Sequence, residues 1–451
     1  MIQKIRHVLF LMGLPLLLFA CSNSEPNSNT ISADFSSESP LNTISDIKTY
    51  LPLNDTEYPY AGIPRIVIET NNRQKIKDVE SKISARLQVW GEKEPKTKVM
   101  NLTIRGRGNS SWTDSPKKSY KIELEQKQEL LGMPRNRDWA LISNFFDKSL
   151  MKNYLMYNFS RRLNAYYSPR CEFVELFLND EYLGVYLLTE TIKIGQNRVD
   201  IPDRSTSYIV EFDIHLREGE QVVYSNVIPV NQYKNGTPFR IHNPKNATEA
   251  ELNLIKEEIT SFENFLIGIK ENENNNVEEW IDVEECVKHY WVQEFSKNPD
   301  AWFHTSVFFS WVEGEPIKMG PVWDFDLSFG GFPNELPYRE YSSVNRLNPD
   351  GWYINYFYWN RYLFKDSVVT ARSKDFWLEN KDVFRGVLKS IDSIAVLLYP
   401  ATINNFRRWK ILKSTDNKYH TKAFSSYEDA VECLKDWAQK RLVWIDKQFS
   451  E

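Results

Sequence analysis

The hydrophobic period of this chain changes near Asn246, from the alternation typical of strands to the three- and four-residue steps of helices. That order confines it to one fold class. Before the change, short apolar runs separated by polar turns predict strands over residues 65–69, 84–89, 99–104 and 119–124. A helix is expected over 148–163, where Leu150, Tyr154, Tyr157 and Arg161 recur at helical steps behind a cap at Asp147. Residues 173–178 and 183–188 flank Asn179-Asp180-Glu181-Tyr182 as the arms of a β-hairpin, and 208–213 adds another strand. After the change, Leu252, Ile255, Ile259, Phe262 and Leu266 form an apolar helical stripe. Asp282 caps a second helix, with Glu285 completing a capping box. Later helices are expected over 374–399 and 427–447, with a strand pair at 307–312 and 317–325 between. Strands first and helices afterwards predict an α+β fold of two unequal lobes, β-rich over 59–204 and mostly helical over 205–451, with a cleft between them.

The N-terminal residues belong to neither lobe. Lys4 and Arg6 precede an apolar run from Val8 to Phe19, and Leu18-Phe19-Ala20 stands directly before Cys21, which resembles a bacterial lipoprotein signal. The expectation is a leader over 1–20, lipid attachment at Cys21, and a polar tether over 21–58 that hangs the body from a membrane of the cell envelope, periplasmic or at the cell surface. An ordinary secretory signal ending by chance at a cysteine is the alternative. Beyond the leader no further membrane-spanning stretch is expected. Removing the leader makes a chain of formal charge −5 more acidic still, which argues against nucleic acid as a partner. Cys171, Cys286 and Cys433 are too scattered for a zinc site or a disulfide framework, although one pair could bridge. With 41% hydrophobic residues, 14 Trp and 23 Tyr, the body can fill sizeable cores.

Three segments carry candidate chemistry. VWDFDLSFGG, from Val322 to Gly331, sets Asp324 and Asp326 on alternate positions of an apolar run, so that on a strand both carboxylates point the same way. Paired acids repel one another, and a hard divalent ion such as Mg²⁺ is one reason to keep them together; a polar strand end facing solvent is the other reading. RGRGNSSW, from Arg105 to Trp112, is a cationic glycine turn that leads into Lys117, Lys118 and Lys121. Such a turn can offer main-chain N–H groups and point charges to phosphate, or be a hairpin with solvated charges. Asn298-Pro299-Asp300 ends the capped helix and leads back to the acidic run. Phosphoryl transfer needs an acid that orients a hydroxyl and carboxylates that hold Mg²⁺, and this segment offers both. The alternative for Asp300 is a helix-end or turn contact.

RGRGNSSW, KKSYKIEL, LLGMPRNRDWALISNFFDKSLMKN, ELFLNDEYLGVYLLTE, Asn298-Pro299-Asp300 and VWDFDLSFG occur here in the order found in the CotH kinases, atypical protein kinases that this chain resembles over most of its length. The resemblance implies a kinase-like two-lobed fold, ATP and Mg²⁺ as cofactors, and phosphorylation of Ser or Thr in a protein substrate. It implies Asp300 as the catalytic acid, Asp324 as the main metal ligand and Asp326 beside it. Arg107, Asn109, Lys118 and Lys121 would face the nucleotide phosphates, and Glu190 would lie near the nucleotide or order the lysine. Asp147, Lys152 and Asn153 also match family positions, where helix capping explains them equally well.

One departure stands out: many kinase-like sites carry an asparagine five residues after the catalytic acid as a second metal ligand, and here that place holds Thr305. Ser306 and His304 are poorer substitutes, His304 being expected to pack against aromatics. A non-catalytic surface lipoprotein of the same fold, binding glycans or partner proteins through its aromatic residues, is the competing expectation. Transfer of a nucleotidyl group is a third.

Overall fold

The strands predicted from alternation in the first half of the body take part in a closed barrel of seven strands. The computed structural model describes residues 50–230, 235–302, 305–331, 347–420 and 422–449. The expected leader, Cys21, the tether up to residue 49, and His304 lie outside the described residues. In chain order come β1 (Arg65–Thr70), β2 (Ile83–Trp90), β3 (Met100–Arg107), the single-turn helix α1 (Ser110–Thr113), β4 (Ser119–Leu130), β5 (Met133–Ile142), α2 (Lys152–Arg162), β6 (Cys171–Leu178) and β7 (Glu181–Glu190). The seven strands close in the order β1-β2-β3-β4-β5-β7-β6, every neighbour antiparallel except β1 and β6, which run parallel and pair Arg65 with Glu175. Inward positions such as Ile66, Leu87, Ile104, Ile122, Trp139, Leu176 and Leu188 fill the interior with side chains. The β6–β7 loop is shorter than expected: Asn179 and Asp180 alone turn the chain, both at positive φ, as a two-residue hairpin loop requires.

Residues 50–58, assigned to the tether by their polarity, are part of the folded body. Leu51 is buried with Val67, Phe177 and Tyr182, its N–H donates to Gln88 Oε1 at 2.9 Å, and Tyr58 stacks on Tyr182 at 4.2 Å. Burial of Leu51 and Tyr58 outweighs the polar residues around them.

A second sheet, in the order β12-β11-β8-β10-β9, is formed by β8 (Ser207–Phe212), β9 (Val222–Ser225), β10 (Thr237–Asn243), β11 (Val307–Val312) and β12 (Lys318–Met319). Its apolar face, including Val210, Phe212, Phe239 and Phe309, packs on Tyr358, Trp359 and α3 (Glu249–Ile267). The remaining helices are α4 (Val283–Ser296), α5 (Asn360–Leu363), α6 (Ser367–Arg408) and α7 (Tyr427–Gln448). The result is a mixed α+β fold, as the strand-then-helix order predicts.

Caps fix the helix starts. Thr248 and Glu251 make a reciprocal capping box for α3, and Asp282 accepts from Glu285 N to cap α4. The box expected at α4 is not closed, because the Glu285 carboxylate accepts from Tyr166 N and Lys288 instead. The expected helix over 148–163 begins at Lys152, since Asp147 accepts from both Ser149 N and Lys152 N and holds the intervening turn. By length and composition α6 could cross a membrane, which no expectation included; Val387, Ile391, Ile394 and Leu398 along it are buried in the shared core.

Candidate active site

The end of the barrel and the polar face of the second sheet enclose a cavity of about 720 Å³, within the range of small-molecule sites. Arg105 and Arg107 at the end of β3, Gly108 and Asn109 in the turn, and Lys121 on β4 line one wall. Pro299, Asp300, Thr305 and Ser306 line another, beside Trp323, Asp324 and Asp326. Glu211, Asp213, Arg240, His242 and Phe308 from the sheet complete it.

The acidic run is not the predicted strand. β12 stops at Met319, and Asp324 sits at φ +61° and Phe329 at φ +54°, left-handed conformations that end extended structure. The segment is held from α2 and the turn after α4. Asn153 Oδ1 accepts from Phe325 N at 2.7 Å, Lys152 Nζ donates to the carbonyls of Asp326 at 3.1 Å and Ser328 at 2.8 Å, and Asn298 Nδ2 donates to Asp324 O at 3.0 Å. Asp324 and Asp326 therefore reach the same cavity through a bent backbone fixed by buried polar side chains, not through strand alternation.

Burial is the main cause that raises the pKa of Asp324; Arg107 opposes it, Glu211 and Asp213 add to it, and a hydrogen bond from Ser306 opposes it again. Burial also pushes Asp326 well above the usual carboxylate range, reinforced by Asp324 and opposed by Lys152. A bound divalent cation would offset this charge, and two carboxylates match the oxygen donors such an ion takes. On the facing wall, burial lowers the pKa of the Arg107 guanidinium against the pull of Asp324, and Arg107 lies over the Trp323 ring at 5.1 Å.

Three expected residues are placed differently from their expected roles. Lys118 does not line the cavity: its ammonium donates to Trp112 O and sits over the Trp112 ring at 5.4 Å, drawn there by α1. Glu190 is fully buried at the end of β7, closed by Arg198, Arg170 and the Tyr167 hydroxyl, and so neither borders the cavity nor orders a lysine. The carboxylate beside Lys121 is Asp138 of β5, at 3.9 Å, which also pairs with Lys193 at 2.7 Å. Asn109 does line the cavity, but its Oδ1 accepts from Arg217 Nη2 at 2.9 Å, and the same guanidinium donates to Gly108 O at 3.0 Å. Arg217 thus pins the glycine turn.

The sheet-borne acids Glu211 and Asp213 had no role assigned from sequence. They share the acid-x-acid spacing of Asp324 and Asp326, with Glu211 on β8 and Asp213 one residue past its end, where the continuing alternation puts both on one face. Arg240, paired with Glu211 across the β8–β10 register, binds both acids and Glu220. Thr305 donates to Asp213 Oδ1 at 2.8 Å.

These walls define a mixed α+β protein whose cavity sets fixed guanidinium and ammonium groups opposite buried carboxylates, an arrangement suited to a polyanion carrying a hard cation. A profile of the CotH kinase protein family matches residues 104–445, about three quarters of the chain, and the chain belongs to that family. No curated protein matches it.

Proposed function

We propose that the protein is an ATP- and Mg²⁺-dependent kinase of protein Ser or Thr, with the barrel half as its nucleotide-facing lobe and the sheet and helices as the lobe that bears the acids. The observation that carries this reading is the convergence of Asp300, Asp324, Asp326, Arg107 and Lys121 on one cavity in a chain of the CotH kinase family. Asp324 and Asp326 would hold the cation, which when bound offsets phosphate charge. Arg107, Lys121 and the N–H groups of the Gly108 turn face the phosphates, while Asp138 orients Lys121. Asp300 accepts the proton of the attacking hydroxyl. Burial lowers the pKa of Lys121, with Asp138 opposing, so a phosphate entering the cavity stabilises its charged form.

The test is transfer of labelled phosphate from Mg-ATP to a protein Ser or Thr, or to the protein itself, by the chain without its leader. Asp300→Asn and Asp324→Asn are each expected to abolish labelling; unchanged labelling in both variants would sink the proposal. We further propose, from Lys4, Arg6, the apolar run over 8–19 and Ala20 before Cys21, that a lipid at Cys21 holds the protein in the cell envelope. Cys21→Ser is then expected to move it from the membrane to the soluble fraction.

A further inference from the structure

Among the described residues α6 is the one helix long and apolar enough to cross a membrane, yet only 33% of its most apolar stretch is buried. Ile391, Ile394 and Leu398 pack in the shared core and keep the helix on the body. Its outer face breaks the usual pattern of a surface helix, whose exposed side is polar. Between Val396 and Ile403 every exposed position is apolar: Val396, Leu397, Tyr399, Pro400 and Ile403. Four of them, Val396, Tyr399, Pro400 and Ile403, follow the steps of a single stripe about 10 Å long. Val396 is 78% exposed and Ile403 59%. An apolar patch of this kind, rimmed by charge, marks a surface that meets something other than water.

The rim is basic. Arg407 continues the stripe one turn on, and Lys410 and Lys413 follow, all three exposed. From Ser393 to Thr415 the chain carries Arg407, Arg408, Lys410 and Lys413 and no acidic residue. Glu57 pairs with Arg407 at 3.9 Å and Glu181 with Arg408 at 2.6 Å, whereas Lys410 and Lys413 make no ion pair among the described residues. The chain that leads back toward the N-terminus is packed on this same end of α6, with Arg407 over the Tyr58 ring at 4.3 Å and Asn404 Nδ2 donating to Pro59 O at 2.8 Å.

We propose that the end of α6 is a docking surface for an anionic lipid bilayer, along which the helix lies with its apolar stripe at the headgroup boundary and Lys410 and Lys413 at the lipid phosphates. Burial of the stripe and attraction of the lysines act together, as in helices that lie in a membrane interface. A second copy of the chain fits less well: five side chains fall short of the roughly 800 Å² per partner that a stable dimer buries, and the basic rim would repel its own kind. The proposal rests neither on the nucleotide reading nor on a lipid at Cys21, and none of these stripe residues borders the cavity.

Cosedimentation with vesicles of equimolar phosphatidylglycerol and phosphatidylcholine reads the surface directly, using the chain without residues 1–21, which carries no lipid and keeps the whole compact body. The unmodified protein is expected to bind these vesicles at low salt. The double variant Val396→Gln, Ile403→Gln is expected to bind about tenfold more weakly, and Lys410→Gln, Lys413→Gln to lose the preference over phosphatidylcholine alone. All four side chains are exposed, so circular dichroism and thermal unfolding should not change. Absence of binding by the unmodified protein, or equal binding by the Val396→Gln, Ile403→Gln protein, overturns the proposal. So does a dimer in sedimentation equilibrium that the same double variant dissociates, which would assign the stripe to a second copy.

Discussion

The barrel closes on itself and the second sheet does not, and their polar residues are distributed accordingly. Inside the barrel the packed side chains are apolar or aromatic, and its contribution to the cavity is confined to the strand ends and one turn, where Arg105, Arg107 and Lys121 emerge. The open sheet instead gives the cavity a whole face, alternating buried aromatics below with Glu211, Asp213, Arg240 and His242 above. A closed barrel has no free face to offer chemistry, so it acts as a rigid mount for a few cations. The open sheet carries Glu211, Arg240 and His242 on that face, with Asp213 just past its strand end.

Breaking the metal side should have the largest effect. Asp324→Asn is expected to lower phosphoryl transfer about a thousandfold while leaving the barrel folded, measured by labelled-phosphate transfer alongside circular dichroism. Breaking the barrel should do the reverse: Leu176→Ala, at a fully buried inward position, is expected to cost about 3 kcal/mol in denaturant unfolding without changing the cation requirement of the residual folded enzyme.

Acid sensitivity should separate the halves next. None of the histidines falls between β1 and β7, and His289 of α4 is buried with its pKa pushed down to about 4 by burial. Its folded-state pKa lies below the ordinary value near 6.5, so the neutral form stabilises the fold fully above that value. The contribution is lost as pH falls from about 6.5 towards 4, up to roughly 3 kcal/mol. His289→Gln should flatten that part of the stability profile; an unchanged slope would show that other groups carry it.

The smallest effect sharpens the same contrast. Because burial and Asp324 raise the pKa of Asp326, its charge destabilises the metal-free fold at neutral pH, and Asp326→Asn should gain about 1 kcal/mol there. Excess Mg²⁺ should erase the gain, as read by thermal unfolding with and without the ion.

Local signals made α3 and α4 legible: Asp282 caps α4 by its side-chain oxygen, and the apolar stripe of α3 is the one its 3.6-residue period requires, whereas the caps Thr248 and Ser426 were passed over. Closure of the barrel was not legible, because the parallel pairing of β1 with β6 joins residues over a hundred positions apart and leaves no mark on either strand. At the site, Asp324 and Asp326 were found by a strand argument that the backbone does not obey. Glu211 and Asp213, which obey it, were passed over for want of a motif around them. Glu190 was misread because position at a hairpin end does not reveal burial, nor the arginine at 198 that closes over it.

One glycine sets how the whole molecule can move. At Gly184, φ is +98°, and a β-carbon there would stand 2.5 Å from Asn405 Oδ1 of α6. Its absence lets Asn405 accept from Val185 N at 3.1 Å and from the buried Lys117 ammonium at 3.0 Å, while Trp409 Nε1 donates to Leu183 O at 2.9 Å. The long helix is thereby bolted to the barrel at one end and packed against α4 and α7 along its length. Swinging the barrel away from the long helix would tear those buried bonds.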